Sequence, residues 1–400
     1  MKFQALRISL AAWSLVIAVS VLLAANEWIR LPEDPLKGWS VFEGKGCIKC
    51  HSIHGHGGKD GPDLGEKPFY GSFLQLAGVM WNHSPQMSER MRELRISRPT
   101  FTHEEMAELI AYLYYLQYLG EPGNPLEGEK LFPEKGCIKC HSVGGKGGTI
   151  GPKLDEMKRY ASPLYMAQAM WNHGPEMEVR MKELGIRRPR FEGREIVDLI
   201  AYIQKVSAGA PEEKVYMLPG NPTEGERLFV SKGCIDCHSV RGNGASIGPD
   251  LGKVELYRSV TEIVGIMWNH GPEMWQEMEK RGINRPRFSG EEMADIIAYL
   301  YFLKFVDEPG DRVEGEKLFS SKGCITCHSV KGKGEEIGPD LATSRGVSSP
   351  IEMVQVMWNH APIMEKKMRE KRLPWPEFKG KDMPNLFAYL QSISKGGATK

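Results

Sequence analysis

All eight cysteines of this 400-residue chain fall in four copies of one run, Cys-x-x-Cys-His. The copies are Cys47-Ile48-Lys49-Cys50-His51, Cys137-Ile138-Lys139-Cys140-His141, Cys234-Ile235-Asp236-Cys237-His238 and Cys324-Ile325-Thr326-Cys327-His328. Each is followed at one fixed set of offsets by the same landmarks. A Gly-Pro pair supplies Pro62, Pro152, Pro249 and Pro339, and a Met-Trp-Asn-His block supplies Trp81, Trp171, Trp268 and Trp358. A Pro-x-Phe begins at Pro99, Pro189, Pro286 and Pro376, and an Ala-Tyr pair at Ala111, Ala201, Ala298 and Ala388. An internal repeat this regular means one domain of about 85 residues built four times.

The spacing also restricts the chemistry. A disulfide framework belongs to short chains with scattered cysteines, and no cysteine is left over here. Structural zinc needs a second Cys or His pair at ligand spacing, and a thioredoxin-like pair would occur once, in a βαβ setting. The remaining reading is covalent c-type haem, with each thiol pair forming thioethers to the vinyl groups. The adjacent His51, His141, His238 and His328 are then the proximal iron ligands, and the chain carries four haem c. Lys plus Arg number 52 against 51 for Asp plus Glu, a net charge of +1, which argues against nucleic acid as a partner. With 41% hydrophobic and 26% charged residues the chain has the composition of a soluble globular protein.

Periodicity predicts helices separated by Gly/Pro loops and no substantial sheet. Met106, Leu109, Ile110 and Leu113 follow the helical rule, and Thr102/Glu105 and Ser289/Glu292 have capping-box spacing. A short helix before each Cys run carries a Gly and a Phe: Gly38 and Phe42, Gly128 and Phe132, Gly225 and Phe229, Gly315 and Phe319. The small Gly and the Ala of Ala-Tyr predict a close crossing of first and last helices. In Met-Trp-Asn-His-x-Pro-x-Met the residue before Pro is biased out of the helical region, so one helix should end near His83 and another begin at Pro85.

With Cys-x-x-Cys-His after a first helix, a Gly-Pro loop behind it and crossing first and last helices, each unit resembles a class I cytochrome c domain. The likeness runs from Leu36 to Ser394. It implies an all-α fold of four tandem cytochrome c-like haem domains after an N-terminal hydrophobic signal or anchor helix. The boundaries are 1–30 for that segment, then 35–120, 125–208, 222–306 and 312–395. By resemblance, the carbonyls of Pro62, Pro152, Pro249 and Pro339 accept a hydrogen bond from the proximal His Nδ1 and support it. The likeness fails at one place. Many such domains put the distal Met just before Pro-x-Phe, where this chain has Arg98, Arg188, Arg285 and Trp375.

The sixth ligand must then come from elsewhere. The Met of Pro-x-Met, in the first turn after the expected break, gives Met87, Met177, Met274 and Met364 as distal ligands. The alternatives are His83, His173, His270 and His360 at the break itself, or the other methionines such as Met80, which also reads as core, and Met91. A soft thioether favours ferrous iron and higher potentials, and His the reverse.

Lys2 and Arg7 precede the uncharged stretch Ile8–Ala25, a translocation signal either cleaved or kept as an inner-membrane anchor by residues 8–25. The rest of the chain is expected on the periplasmic side of a bacterial cell, where the resemblance also places haem attachment. The middle connection between units, Ala201 to Cys234, is longer than its two neighbours and carries Pro211-Glu212-Glu213-Lys214. The short ones share wording, Glu121-Pro122-Gly123-Asn124 and Glu308-Pro309-Gly310-Asp311, and this pattern predicts pairs of units one with two and three with four. His54, His56 and His103 read as surface residues, Lys366-Lys367-Met368-Arg369 as a solvated face, and the four Trp as packing residues or propionate donors.

All four units keep the same ligand candidates and none gains a catalytic cluster. The expected function is therefore single-electron transfer, not catalysis, between redox proteins or within a membrane respiratory complex. The competing reading is a haem enzyme with one open iron that reduces a small molecule.

Overall fold

A computed structural model describes residues 32–66, 69, 71–118, 120, 122–156, 162–207, 220–254 and 259–394. The signal or anchor stretch, Glu121 and the charged insert at Pro211–Lys214 lie outside these. Among the described residues no helix is long and apolar enough to cross a membrane.

The structure is helical, as expected. Repeat 2 shows the plan: a first helix Pro125–Glu134, a 3-10 turn Cys137–Lys139, a middle helix Pro163–Glu183 and a last helix Glu195–Val206. The only strands among the described residues are four antiparallel hairpins of two residues per strand, one behind each Cys run. Their two-residue turns place His54-Gly55, Gly144-Gly145, Arg241-Gly242 and Lys331-Gly332 at positive φ, the turn that matches strand twist.

First and last helices cross at the predicted glycine. A Cβ on Gly128 would overlap the Asp198 carbonyl and sit 2.8 Å from Tyr202 Cβ, and Gly38, Gly225 and Gly315 are equally crowded. The Ala of Ala-Tyr is not the opposing surface. In repeat 2, Ala201 Cβ instead faces Gly123, in the connection ahead of that repeat. The caps are those the sequence promised: Thr102 with Glu105, and Ser289 with Glu292.

The helix break is present only in repeat 1, as Phe73–Asn82 and Ser84–Glu93. In repeats 2, 3 and 4 one 21-residue helix runs through the proline: Pro163–Glu183, Val260–Lys280 and Pro350–Glu370. An internal Pro removes the hydrogen bond to the carbonyl four residues back. That cost is offset where another donor takes the carbonyl. Arg285 donates to Trp171 O, and Arg188 Nη2 to Trp268 O at 3.0 Å.

Two compact units form. One combines Phe73–Ala107 with Val306–Lys400, the other Pro32–Ser72 with Glu108–Phe305. In the second unit the middle helices of repeats 2 and 3 pack on one another. Each holds the other's Pro-x-Phe loop, with Trp171 Nε1 to Pro286 O and Trp268 Nε1 to Pro189 O, both 2.8 Å. The adjoining asparagines clamp the loop from both sides: Asn269 Nδ2 donates to Phe191 O at 2.7 Å and Asn269 Oδ1 accepts from Phe191 N at 2.9 Å.

In the first unit repeats 1 and 4 make the same exchange. Trp81 Nε1 reaches Pro376 O at 2.8 Å, and Trp358 Nε1 reaches Pro99 O at 2.9 Å. Pairing by these contacts is therefore two with three and one with four, which corrects the expectation of one with two and three with four. The connections misled because their shared wording serves a local contact. Each packs its Gly on the last helix of the repeat it precedes, and the middle connection does so too: Asn124 N, Asn221 N and Asp311 N donate to Asp198, Asp295 and Asn385.

Candidate haem sites

Each Cys run is bent into a 3-10 turn that starts from a glycine at φ near +80°: Gly46, Gly136, Gly233 and Gly323. Only glycine takes that backbone without strain, and it turns the chain so that two thiols and the following imidazole leave one short segment. Burial pushes the thiols of Cys47, Cys137, Cys234 and Cys324 up to about 11.

The imidazoles are held alike in every repeat. The Nδ1 of His51, His141, His238 and His328 lies 3.1, 3.0, 3.1 and 3.1 Å from the carbonyl of Pro62, Pro152, Pro249 and Pro339. A carbonyl only accepts, so Nδ1 carries the proton and Nε2 keeps its lone pair. A metal-ligating histidine needs that tautomer and orientation. The glycine ahead of each proline lies flat on the ring: a Cβ on Gly61, Gly151, Gly248 or Gly338 would overlap the imidazole. Two thiols, one oriented imidazole and a backbone surface that tolerates no side chain fit a covalently held haem.

A further carboxylate fastens this loop, and the sequence reading passed over it. Asp63 follows Pro62 and accepts from Gly55 N at 2.7 Å, Gly65 N at 2.8 Å, Ser52 Oγ at 2.9 Å and His54 N at 3.0 Å. Burial alone would raise its pKa, but these donors hold it below the usual carboxylate range. Asp250 and Asp340 do the same in repeats 3 and 4. Repeat 2 has Lys153 at this place, and Asp155 takes over one contact, accepting from Gly144 N at 3.0 Å. The signal was present as Gly-Pro-Asp-Leu in three units.

Among the distal candidates, Met87, Met177, Met274 and Met364 are all half-buried. His83, His173, His270 and His360 are all exposed, and His83 Nδ1 folds back to Val79 O at 2.8 Å. Met80 lines a small cavity with Met357 in one seam, and Met170 with Met267 in the other, where they pack the paired middle helices. His54, His56 and His103 are exposed, as read from the sequence. The four Trp are buried, but each Nε1–H is spent on the pair-mate's Pro carbonyl, which removes the propionate-donor reading.

The residues at the place of the family's usual methionine serve the seam. Arg98 lies 4.0 Å over the Trp358 ring and donates to Ser84 and Ser88 beside the buried Glu365. Arg188 lies 3.5 Å over Trp268, and burial there lowers its pKa to about 10 against the opposing pull of Glu178 and Glu273. Trp375 stacks on Trp81 at 4.2 Å.

No curated protein matches the chain. The family model described as Cytochrome c matches residues 126–207, 222–304 and 313–394, three domains in tandem. Domains of this kind carry haem and typically transfer electrons, and with most of its length matched the chain belongs to the cytochrome c family.

Proposed function

We propose that this protein is a tetrahaem electron carrier that passes single electrons between redox partners on the periplasmic side of a bacterial membrane. Four haem c are attached at Cys47/Cys50, Cys137/Cys140, Cys234/Cys237 and Cys324/Cys327, and the iron is held by His51, His141, His238 and His328. The observation that carries the reading is the Pro carbonyl bonded to Nδ1 in all four repeats, which leaves four equivalent Nε2 atoms beside four thiol pairs. Repeat 1 lies outside the family match, yet its His51–Pro62 contact repeats that of the other three.

Met87, Met177, Met274 and Met364 complete the coordination, a choice supported by their half-buried positions against the exposed histidines. The bound group supplies a one-electron couple. The chain's part is to fix the imidazole, cover the metal and set the potential through burial and hydrogen bonds. Residues 8–25 carry the chain across the membrane, or hold it there beside a respiratory complex.

The test is a haem count by pyridine haemochrome with carbon monoxide binding on the reduced protein. Four haems per chain and little binding are expected. One haem that binds readily in the native protein would favour the enzyme reading. Met87→Ala should open one haem to carbon monoxide; if His83→Ala does so instead, the ligand assignment is wrong.

A further inference from the structure

The seam between repeats 2 and 3 reaches the candidate haem sites through a short chain of hydrogen bonds. Lys135, two residues before Cys137, donates from Nζ to Arg190 O at 2.8 Å and pairs with Glu195 at 2.6 Å. Arg190 is the central residue of the Pro189–Phe191 loop. The loop's two flanking carbonyls are taken by the other repeat, Pro189 O by Trp268 and Phe191 O by Asn269, and Asn269 also accepts from Phe191 N. The reciprocal chain is equally complete. Lys232 donates to Arg287 O at 3.0 Å and pairs with Glu292 at 2.7 Å; Trp171 takes Pro286 O, and Asn172 exchanges both bonds with Phe288. Each loop is thus anchored on one side by the lysine two residues ahead of its own Cys run and on the other by the pair-mate.

We infer that in repeats 2 and 3 each haem is positioned from the opposite repeat: Trp268 and Asn269 govern the haem attached at Cys137 and Cys140, and Trp171 and Asn172 the haem attached at Cys234 and Cys237. The inference rests on the haem reading above. Trp268 and Asn269 are positioning residues, because they act through the loop. An indole N–H and an amide that hold the loop's carbonyls fix where its dipoles point and how closely it excludes water, and both affect a haem potential. Releasing them admits water, favours the ferric charge and lowers the potential. The two sites then report on each other's seam, so a change made in repeat 3 is read at repeat 2.

The experiment uses full-length holoprotein and Trp268→Phe, which keeps an aromatic face under Arg188 and removes the N–H, in a spectroelectrochemical titration. One of the four midpoints should fall, changing the ferric-to-ferrous ratio at fixed potential about tenfold, 59 mV for a one-electron couple. The assignment comes from repeating the comparison in a Cys234→Ala/Cys237→Ala background, which lacks the haem of repeat 3. A shift that persists there belongs to the opposite repeat. A shift that vanishes with that haem, or no shift in either background, overturns the inference. If that background does not accumulate, Trp171→Phe in Cys137→Ala/Cys140→Ala gives the reciprocal reading, with the exposed Val179→Ala as baseline. A haem count below four in the unaltered protein would fault the haem reading itself and is seen before any titration.

Discussion

Two buried glycines in the middle helices of the second unit, Gly174 and Gly265, should respond to the same substitution with opposite signs. Replacing Gly by Ala inside a helix stabilises by about 1 kcal/mol through backbone entropy. A Cβ on Gly265 would meet nothing nearer than Ile196 Cγ1 and Phe191 Cβ, both at 3.7 Å, which is ordinary contact. Gly265→Ala should therefore keep the whole gain. A Cβ on Gly174 would overlap the Trp275 indole, with Cζ2 at 2.9 Å. That ring has little room to retreat: Trp171 packs edge-on at 6.3 Å, and the Arg188 and Arg285 guanidiniums lie at 5.1 and 5.7 Å. Overpacking of this kind costs about 1–3 kcal/mol, so Gly174→Ala should lose about 1 kcal/mol after the helix term. A gap of about 2 kcal/mol separates thermal midpoints by roughly 4–8 °C in units of this size. Thermal and urea unfolding of the holoprotein read it directly. Shifts of the same sign would refute the reasoning, as would a Gly174→Ala loss that Trp275→Leu fails to relieve.

Glu365 is buried in the first unit, accepting from Ser84 Oγ and Ser88 Oγ at 3.0 Å, with Arg98 at 3.8 Å. Glu365→Ala should cost about 3 kcal/mol in urea unfolding by stranding the arginine, and Arg98→Met added to Glu365→Leu should recover most of it. The Asp340 carboxyl is held below its usual range, first by Gly332 N–H, then by Ala342 N–H and Lys331 N–H. Its contribution is present above its unfolded pKa of about 3.9 and is lost as pH falls through the lower folded value. Amide protection across Ser329–Leu341, taken relative to the intrinsic exchange rate at each pH, should fall on acidification, whereas Asp340→Asn should be less protected at neutral pH and change less with acid. Gly338→Ala pushes a methyl into the His328 ring, so the haemochrome count should fall by about one haem while helix content stays near wild type.

The sequence revealed each repeat well and their partnership badly. Gly128 against the last helix, the Ser289/Glu292 cap and the His141–Pro152 bond are local or depend on one repeat alone, so spacing exposed them. Pairing depends on differences among near-identical copies. The ring of Trp275 fits against Gly174, whereas the equivalent positions in repeats 1 and 4 hold Ser84 and Ala361. Glu365 meets two serines and an arginine, whereas the residue at its place in repeat 3 is Trp275. A periodic reading keeps what the copies share and discards these.

Two departures that looked unrelated in the sequence are one arrangement. The proline, inside the middle helix in repeats 2, 3 and 4 and at the start of the second helix in repeat 1, leaves the carbonyl of the Trp four residues earlier without a helical donor. The residue just before Pro-x-Phe, where the resemblance placed a distal methionine, is Arg or Trp and carries N–H donors. In three repeats the pair-mate's donor meets that freed carbonyl: Arg285 at Trp171, Arg188 at Trp268, and Trp375 at Trp81 at 3.1 Å. The fourth, Arg98, stacks on the Trp358 ring and turns its donors to Ser84 and Ser88. A methionine there could neither donate to the carbonyl nor stack as a cation on the indole. The proline and the loss of the loop methionine therefore belong together, and each accounts for the other: the loop residue is used across the seam, where the proline has freed a carbonyl for it.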